Sequence, residues 1–225
     1  MASFETHVNI AVIATGVLIV PFYTSELINT KEAFILLSLG LVGGILPDLD
    51  SDSSKPIQIV FKILSIFFPL LVLLSLSIKL PLLQLLFLWL ALGVVLQFAF
   101  SELFLKQTVH RGIFHSLGMG IVMSQLIVLF FLYLLEYTLL FSTLSALFLF
   151  FGFSIHLLLD EMSSINALGL SIKKSFGTAL KLYDKNNIKG SIMVYTLILI
   201  FSLLIPYNKD VFTKIFATFK SINLL

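Results

Sequence analysis

The chain has 225 residues, 59% of them hydrophobic and 12% charged, with a net charge of +2 and no cysteine. A water-soluble domain carries about 25% charged residues, so this chain cannot clothe a solvent-facing surface and reads as an all-α, polytopic membrane protein. The lack of cysteine excludes disulfides, thiolate metal sites and cysteine nucleophiles, and the absence of a basic block argues against nucleic acid.

Ahead of the first apolar run, Met1-Ala2-Ser3-Phe4-Glu5-Thr6-His7 has no basic stretch, and no small-residue cleavage site follows, so a cleavable signal peptide is not expected. Apolar runs between polar breaks predict six to seven membrane segments, at 8–22, 33–47, 58–78, 81–104, 113–135, 138–160 and 190–206. A full crossing takes about 20 apolar residues. The third to sixth runs reach that length; the first, second and seventh are 15 to 17 residues and read as tilted or partial. Pro47 and Pro56 bracket the 48–55 loop, and Pro81 marks a turn. After 207 the pattern changes. Val211, Phe212, Ile215, Phe216, Phe219 and Ile222 recur at helical spacing among Lys209, Lys214 and Lys220. That pattern predicts an amphipathic helix in the membrane interface, with a frayed tail as the alternative. The expected organisation is one helical membrane domain, 1–207, followed by an interfacial tail, 208–225.

Alternating the segments across a bilayer brings the N-terminus and the loops 48–55, 105–112 and 161–189 to one face. That face receives every histidine of the chain, His7, His110, His115 and His156, and nine of the 14 lysines and arginines. The positive-inside rule makes it cytoplasmic.

Neutral imidazole with carboxylate is a ligand set for divalent metals. His156 and Asp160 lie four apart near a helix end, so both side chains fall on one face and can grip one ion; a histidine hydrogen-bonded to its own aspartate is the competing reading. Asp48 and Asp50 alternate, which in an extended segment sends both carboxylates to one side, and Asp52 continues the series. Between His110 and His115, Gly112 lets the first sit in a turn while the second opens a helix. Arg111 suits a phosphate or carboxylate oxygen, or a lipid headgroup. Ser116 can orient a ligand or a water. His7 is a fair extra ligand or an interfacial anchor. The 173–181 stretch, with Lys174 and Lys181, can bind an anionic headgroup or simply reflect the positive-inside bias.

Taken together, Pro47-Asp48-Leu49-Asp50, His110-Arg111-x-x-x-His115-Ser116 and His156-x-x-x-Asp160, with His7 ahead of them, resemble the YdjM-type family of inner-membrane metal-dependent hydrolases over roughly residues 5–181. The His-x-x-x-Asp pair and a separated aspartate are more remotely similar to zinc phospholipase C and P1 nuclease, helical proteins that cleave phosphoesters with clustered metals. The resemblance implies that His7, Asp48, Asp50, His110, His115, His156 and Asp160 are metal ligands and that the activity is hydrolysis. A second His-x-x-x-Glu pair of the soluble relatives has no counterpart, which points to one or two ions. The ligand types suit zinc, and manganese or iron would fit.

The expected function is hydrolysis of a phosphoester on a lipid or lipid-linked substrate at the membrane face. Asp52, or an unliganded member of the Asp48/Asp50 pair, would take the water's proton, and Arg111, Lys174 and Lys181 would neutralise charge on the phosphate. A divalent-metal transporter and a metal-stapled structural protein are the alternatives. Transporters place ionisable groups near the midplane, whereas here they gather at segment ends.

Overall fold

The computed structural model describes residues 3–50, 62, 65–66, 69, 73, 81–100, 115–163, 165–166, 171–172, 180–183 and 187–222. They fall in two compact units, Met1–Pro47 with Ile113–Leu225, and Asp48–Gly112.

The first unit is a helical bundle. Helix α1 (Phe4–Thr24) starts at Ser3, whose hydroxyl accepts from the Thr6 amide, with Glu5 in the electropositive first turn. Helix α2 (Thr30–Gly43) opens on a capping box: the Asn29 side chain accepts from the Glu32 amide at 3.0 Å, and Glu32 accepts from the Asn29 amide at 2.8 Å. It gives way to a short 3-10 turn, Leu46–Asp50, at Pro47, which cannot continue the α-helical ladder. Further along the chain, α4 (Leu117–Leu129, with a π turn through Leu134) is followed by α5 (Leu139–Ser163), α6 (Ile188–Leu204) and α7 (Lys209–Ile222). Between α5 and α6 lies a two-rung antiparallel ladder, β1 (Ile165–Asn166) with β2 (Ser171–Ile172).

The second unit is described mainly at α3 (Leu82–Val94), which begins after Pro81 and continues as a π turn to Phe100. Within that unit Trp89 Nε1 donates to the Ile66 carbonyl at 2.9 Å.

Four helical stretches are long and apolar enough to cross a membrane: Phe4–Thr24, Thr30–Asp48, Leu117–Leu134 and Leu139–Ser163; the bent pair α6–α7 makes a fifth if it counts as one span. Among the described residues this is fewer than the six to seven expected segments. The 58–78 run lies mostly outside the described residues, and the α-helical part of 81–104 ends at Val94. The first two runs are full-length helices rather than partial ones, because polar residues such as Glu5, His7 and Glu32 are taken into their ends.

Helix α5 is the most enclosed of the four, and it packs on α2 backbone to backbone. A Cβ on Gly152 would run into the Gly40 carbonyl, and one on Gly43 into the Leu149 carbonyl. Small residues allow such close approach in a bilayer, where dispersion and interhelical polar contacts hold helices together. At the far end from His7 and His156, Phe22 meets Phe148 and Phe219 edge-on at 5.7 and 5.2 Å. Helix α7 turns 104° from α6 and buries Val211 and Ile215 in that aromatic cluster while Phe212 and Phe216 stay exposed.

The α2–α5 contact yields a direct prediction. Gly152→Ala should destabilise the protein by about 1–3 kcal/mol through overpacking, read as a lower Tm in detergent. Gly16→Ala, where nothing lies within 4 Å of the added methyl, should leave Tm unchanged or raise it, since Ala is the better helix former.

Candidate metal centre

The site forms where four segments end together. His7 lies in the second turn of α1, Asp48 in the 3-10 turn that follows α2, His115 just before α4, and His156 with Asp160 near the C-terminal end of α5. Up-and-down alternation of these helices brings all of those ends to one side of the bundle. His7, His115, His156 and Asp160 are each no more than 2% exposed.

Asp160 is the hub. Its Oδ2 lies 3.2 Å from His115 Nε2 and 3.8 Å from His156 Nε2, and its Oδ1 lies 3.4 Å from His7 Nε2. The His156 ring is stacked on His7, with centroids 3.8 Å apart and planes 13° apart, and meets His115 edge-on at 5.4 Å. His156 Nδ1 donates to the Gly44 carbonyl at 2.7 Å. A carbonyl can only accept, so Nδ1 carries a proton, and Nε2 is the nitrogen turned toward Asp160. Orienting an imidazole through its other nitrogen is the arrangement that metal-binding histidines use. The bond also ties the ligand to the fold: Gly152, one turn before His156, is the residue pressed against Gly40 and Gly44.

The donor set fits a metal ion. Asp48, His115, His156 and Asp160 each offer one ligand atom, all within 4.8 Å of one another. Two ligands on a tetrahedral ion with bonds of about 2.0–2.1 Å lie about 3.3–3.4 Å apart, the range that the Asp160 contacts span. Imidazole nitrogen and carboxylate oxygen without thiolate suit a borderline or hard divalent cation.

The family model for YdjM inner membrane protein matches residues 1–210. The chain belongs to the YdjM inner membrane protein family. No curated protein and no solved structure matches it, so the more remote similarity to zinc phospholipase C and P1 nuclease is not shown.

In this family member, four residues that the motifs single out, Asp48, His115, His156 and Asp160, form one cluster, and His7 touches it through Asp160. Asp48 and Asp50 sit in a 3-10 turn rather than in an extended segment. The extended backbone expected for that pair is therefore replaced by a helical turn. The Asp50 side chain, together with Asp52, His110, Arg111 and Lys174, lies outside the described residues. Ser116 is the N-cap of α4, its hydroxyl accepting from the Met119 amide at 3.2 Å. The Lys181 carbonyl accepts from the Leu117 amide at 3.1 Å, which brings the 180–183 segment to the start of α4, two residues from His115.

The Gly44 carbonyl has no side-chain signature. The nearest sequence signal is the small-residue run Gly40-x-x-Gly43-Gly44, which marks a close helix contact and hence a backbone within reach of α5.

An ion held by buried ligands binds only the folded state and stabilises it by mass action. Zinc or manganese should therefore raise the Tm of the chelator-stripped protein, and Asp160→Ala should abolish both the metal content and the shift. An equal shift in Asp160→Ala would show that the ion binds elsewhere.

Proposed function

We propose that this chain is a membrane-embedded, metal-dependent hydrolase that cleaves a phosphoester of a lipid or lipid-linked substrate, with its site at the cytoplasmic face. The observation that carries the reading is the burial of three imidazoles around one carboxylate at one end of an apolar bundle. Burying that many polar groups is costly, and ionisable groups at membrane depth mark functional sites.

His115, His156, Asp160 and Asp48 would hold the ion, for which zinc is proposed and manganese or iron would serve. Such an ion supplies Lewis acidity and a water acidified toward a pKa of about 7. His156 is pre-set for its part, since the Gly44 carbonyl fixes its tautomer and ring orientation. Asp52, or a member of the Asp48/Asp50 pair not engaged by the ion, would accept the proton of the attacking water. Arg111, Lys174 and Lys181 would neutralise charge on the phosphoryl oxygens. Lys181 is supported by its tether to the start of α4, while Ser116 contributes by capping that helix beside His115. A substrate whose headgroup sits at the membrane boundary and whose tail lies in lipid accounts for a site built at helix ends.

Transport finds less support. In the four membrane-length helices Glu5, His7, Lys31, Glu32, Asp48, His156, Asp160 and Glu161 all lie within about two turns of a helix end, and no Asp, Glu, His, Lys or Arg lies at mid-helix. A transported cation would cross that stretch without a charged ligand.

The test is release of phosphate or headgroup from a lipid panel by the metal-loaded protein in nanodiscs. His156→Ala and Asp160→Ala should lower the rate by about 100-fold or more. Fully loaded wild-type protein that cleaves nothing across phospholipid and polyprenyl-phosphate panels would sink the hydrolase reading. Lys181→Gln should raise KM more than it lowers kcat, as expected for a group that binds the phosphate from outside the ligand set.

A further inference from the structure

His7 stands apart from the ligands of a single ion. It is not one of the four residues whose ligand atoms all lie within 4.8 Å of one another, yet it is 2% exposed and neither ring nitrogen makes a hydrogen bond. Asp160 Oδ1, 3.4 Å away, makes none either. Leaving a buried polar group unmatched costs about 1–3 kcal/mol; His7 Nε2 and Asp160 Oδ1 face each other at 3.4 Å, too long for a good hydrogen bond, and a cation shared between them would satisfy both.

The carboxylate of Asp160 is divided: Oδ2 faces His115 and His156, and Oδ1 faces His7. The His7 and His156 rings are nearly parallel with centroids 3.8 Å apart, each presenting Nε2 to a different oxygen of that carboxylate. In two-metal hydrolytic centres the ions lie about 3.5–4 Å apart, the separation at which two stacked rings would each deliver one nitrogen.

We infer that His7 Nε2 and Asp160 Oδ1 hold a second divalent cation, with Asp160 bridging it to the ion bound through Oδ2. The inference rests on the metal-centre reading of this site. With one neutral imidazole and half a carboxylate from the protein, the second ion keeps a net positive charge and open positions. Such an ion would supply positive charge for a phosphate oxygen of the substrate, and with fewer protein ligands it would bind more weakly than the first.

The experiment is a manganese titration of the full-length, chelator-stripped protein in nanodiscs, followed by metal counting and electron paramagnetic resonance. Wild type should saturate at two manganese ions per chain with a spin-coupled spectrum, and inorganic phosphate should tighten the second step. His7→Ala should keep one ion, uncoupled, while His156→Ala disrupts the first site. Should His7→Ala fail to fold, His7→Phe keeps the stacked ring without a ligand atom and should behave in the same way. Wild type saturating at one ion, or a His7 variant retaining a coupled pair, would overturn the inference and leave His7 as a structural partner of Asp160. Metal counts and spectra are independent of turnover, so failure of the hydrolase reading leaves this result distinct.

Discussion

A buried carboxylate ringed by three buried imidazoles is the constraint on which the rest of this molecule depends. Asp160 is withdrawn from water at the end of the longest described helix, with His7, His115 and His156 converging on it from two other chain segments and from its own helix. An isolated ionised carboxylate cannot be buried without compensation, and breaking a buried pair by removing one partner is strongly destabilising. The bundle must therefore hold α1, α5 and the start of α4 in register at this end, or the charge is stranded.

That register comes from backbone contact rather than from interlocking large side chains. Where α2 meets α5, glycines on both helices remove the Cβ atoms that would separate them, and the resulting closeness lets His156 reach the Gly44 carbonyl. Packing and ligand orientation are one arrangement, since the residue one turn before His156 makes the contact that the His156 hydrogen bond requires. The other end is built differently. Phe22, Phe148 and Phe219 lock edge to face, and α7 turns back across them. One end is polar, preorganised and glycine-lined; the other is aromatic and supplies bulk stability.

This division suits chemistry on a molecule that is itself half lipid. A site at the helix ends needs no aqueous path through the bilayer, and the apolar middle of the bundle isolates it from the opposite side. Membership of the YdjM inner membrane protein family agrees with the membrane setting, and the cluster of Asp48, His115, His156 and Asp160 agrees with a metal. Hydrolysis of a phosphoester is the activity we propose for that combination.

Composition alone makes this a membrane protein, and motif residues at helix ends mark most of the cluster. His156 and Asp160 were legible as a pair because helical periodicity alone places residues four apart on one face. The convergence of His7, His115 and Asp48 on them was legible only as a shared membrane side. Tertiary structure decided the rest. Asp48 and Asp50 look like an alternating pair until Pro47 and the end of α2 wind them into a 3-10 turn. The Gly44 carbonyl carries no side-chain signal, and a glycine run does not say which helix will press against it. The four or five crossings of the described helices match expected runs, while the 58–78 run lies mostly outside the described residues. Local periodicity is written in neighbouring residues, whereas which oxygen of Asp160 faces which histidine depends on helices that meet only once the bundle has closed.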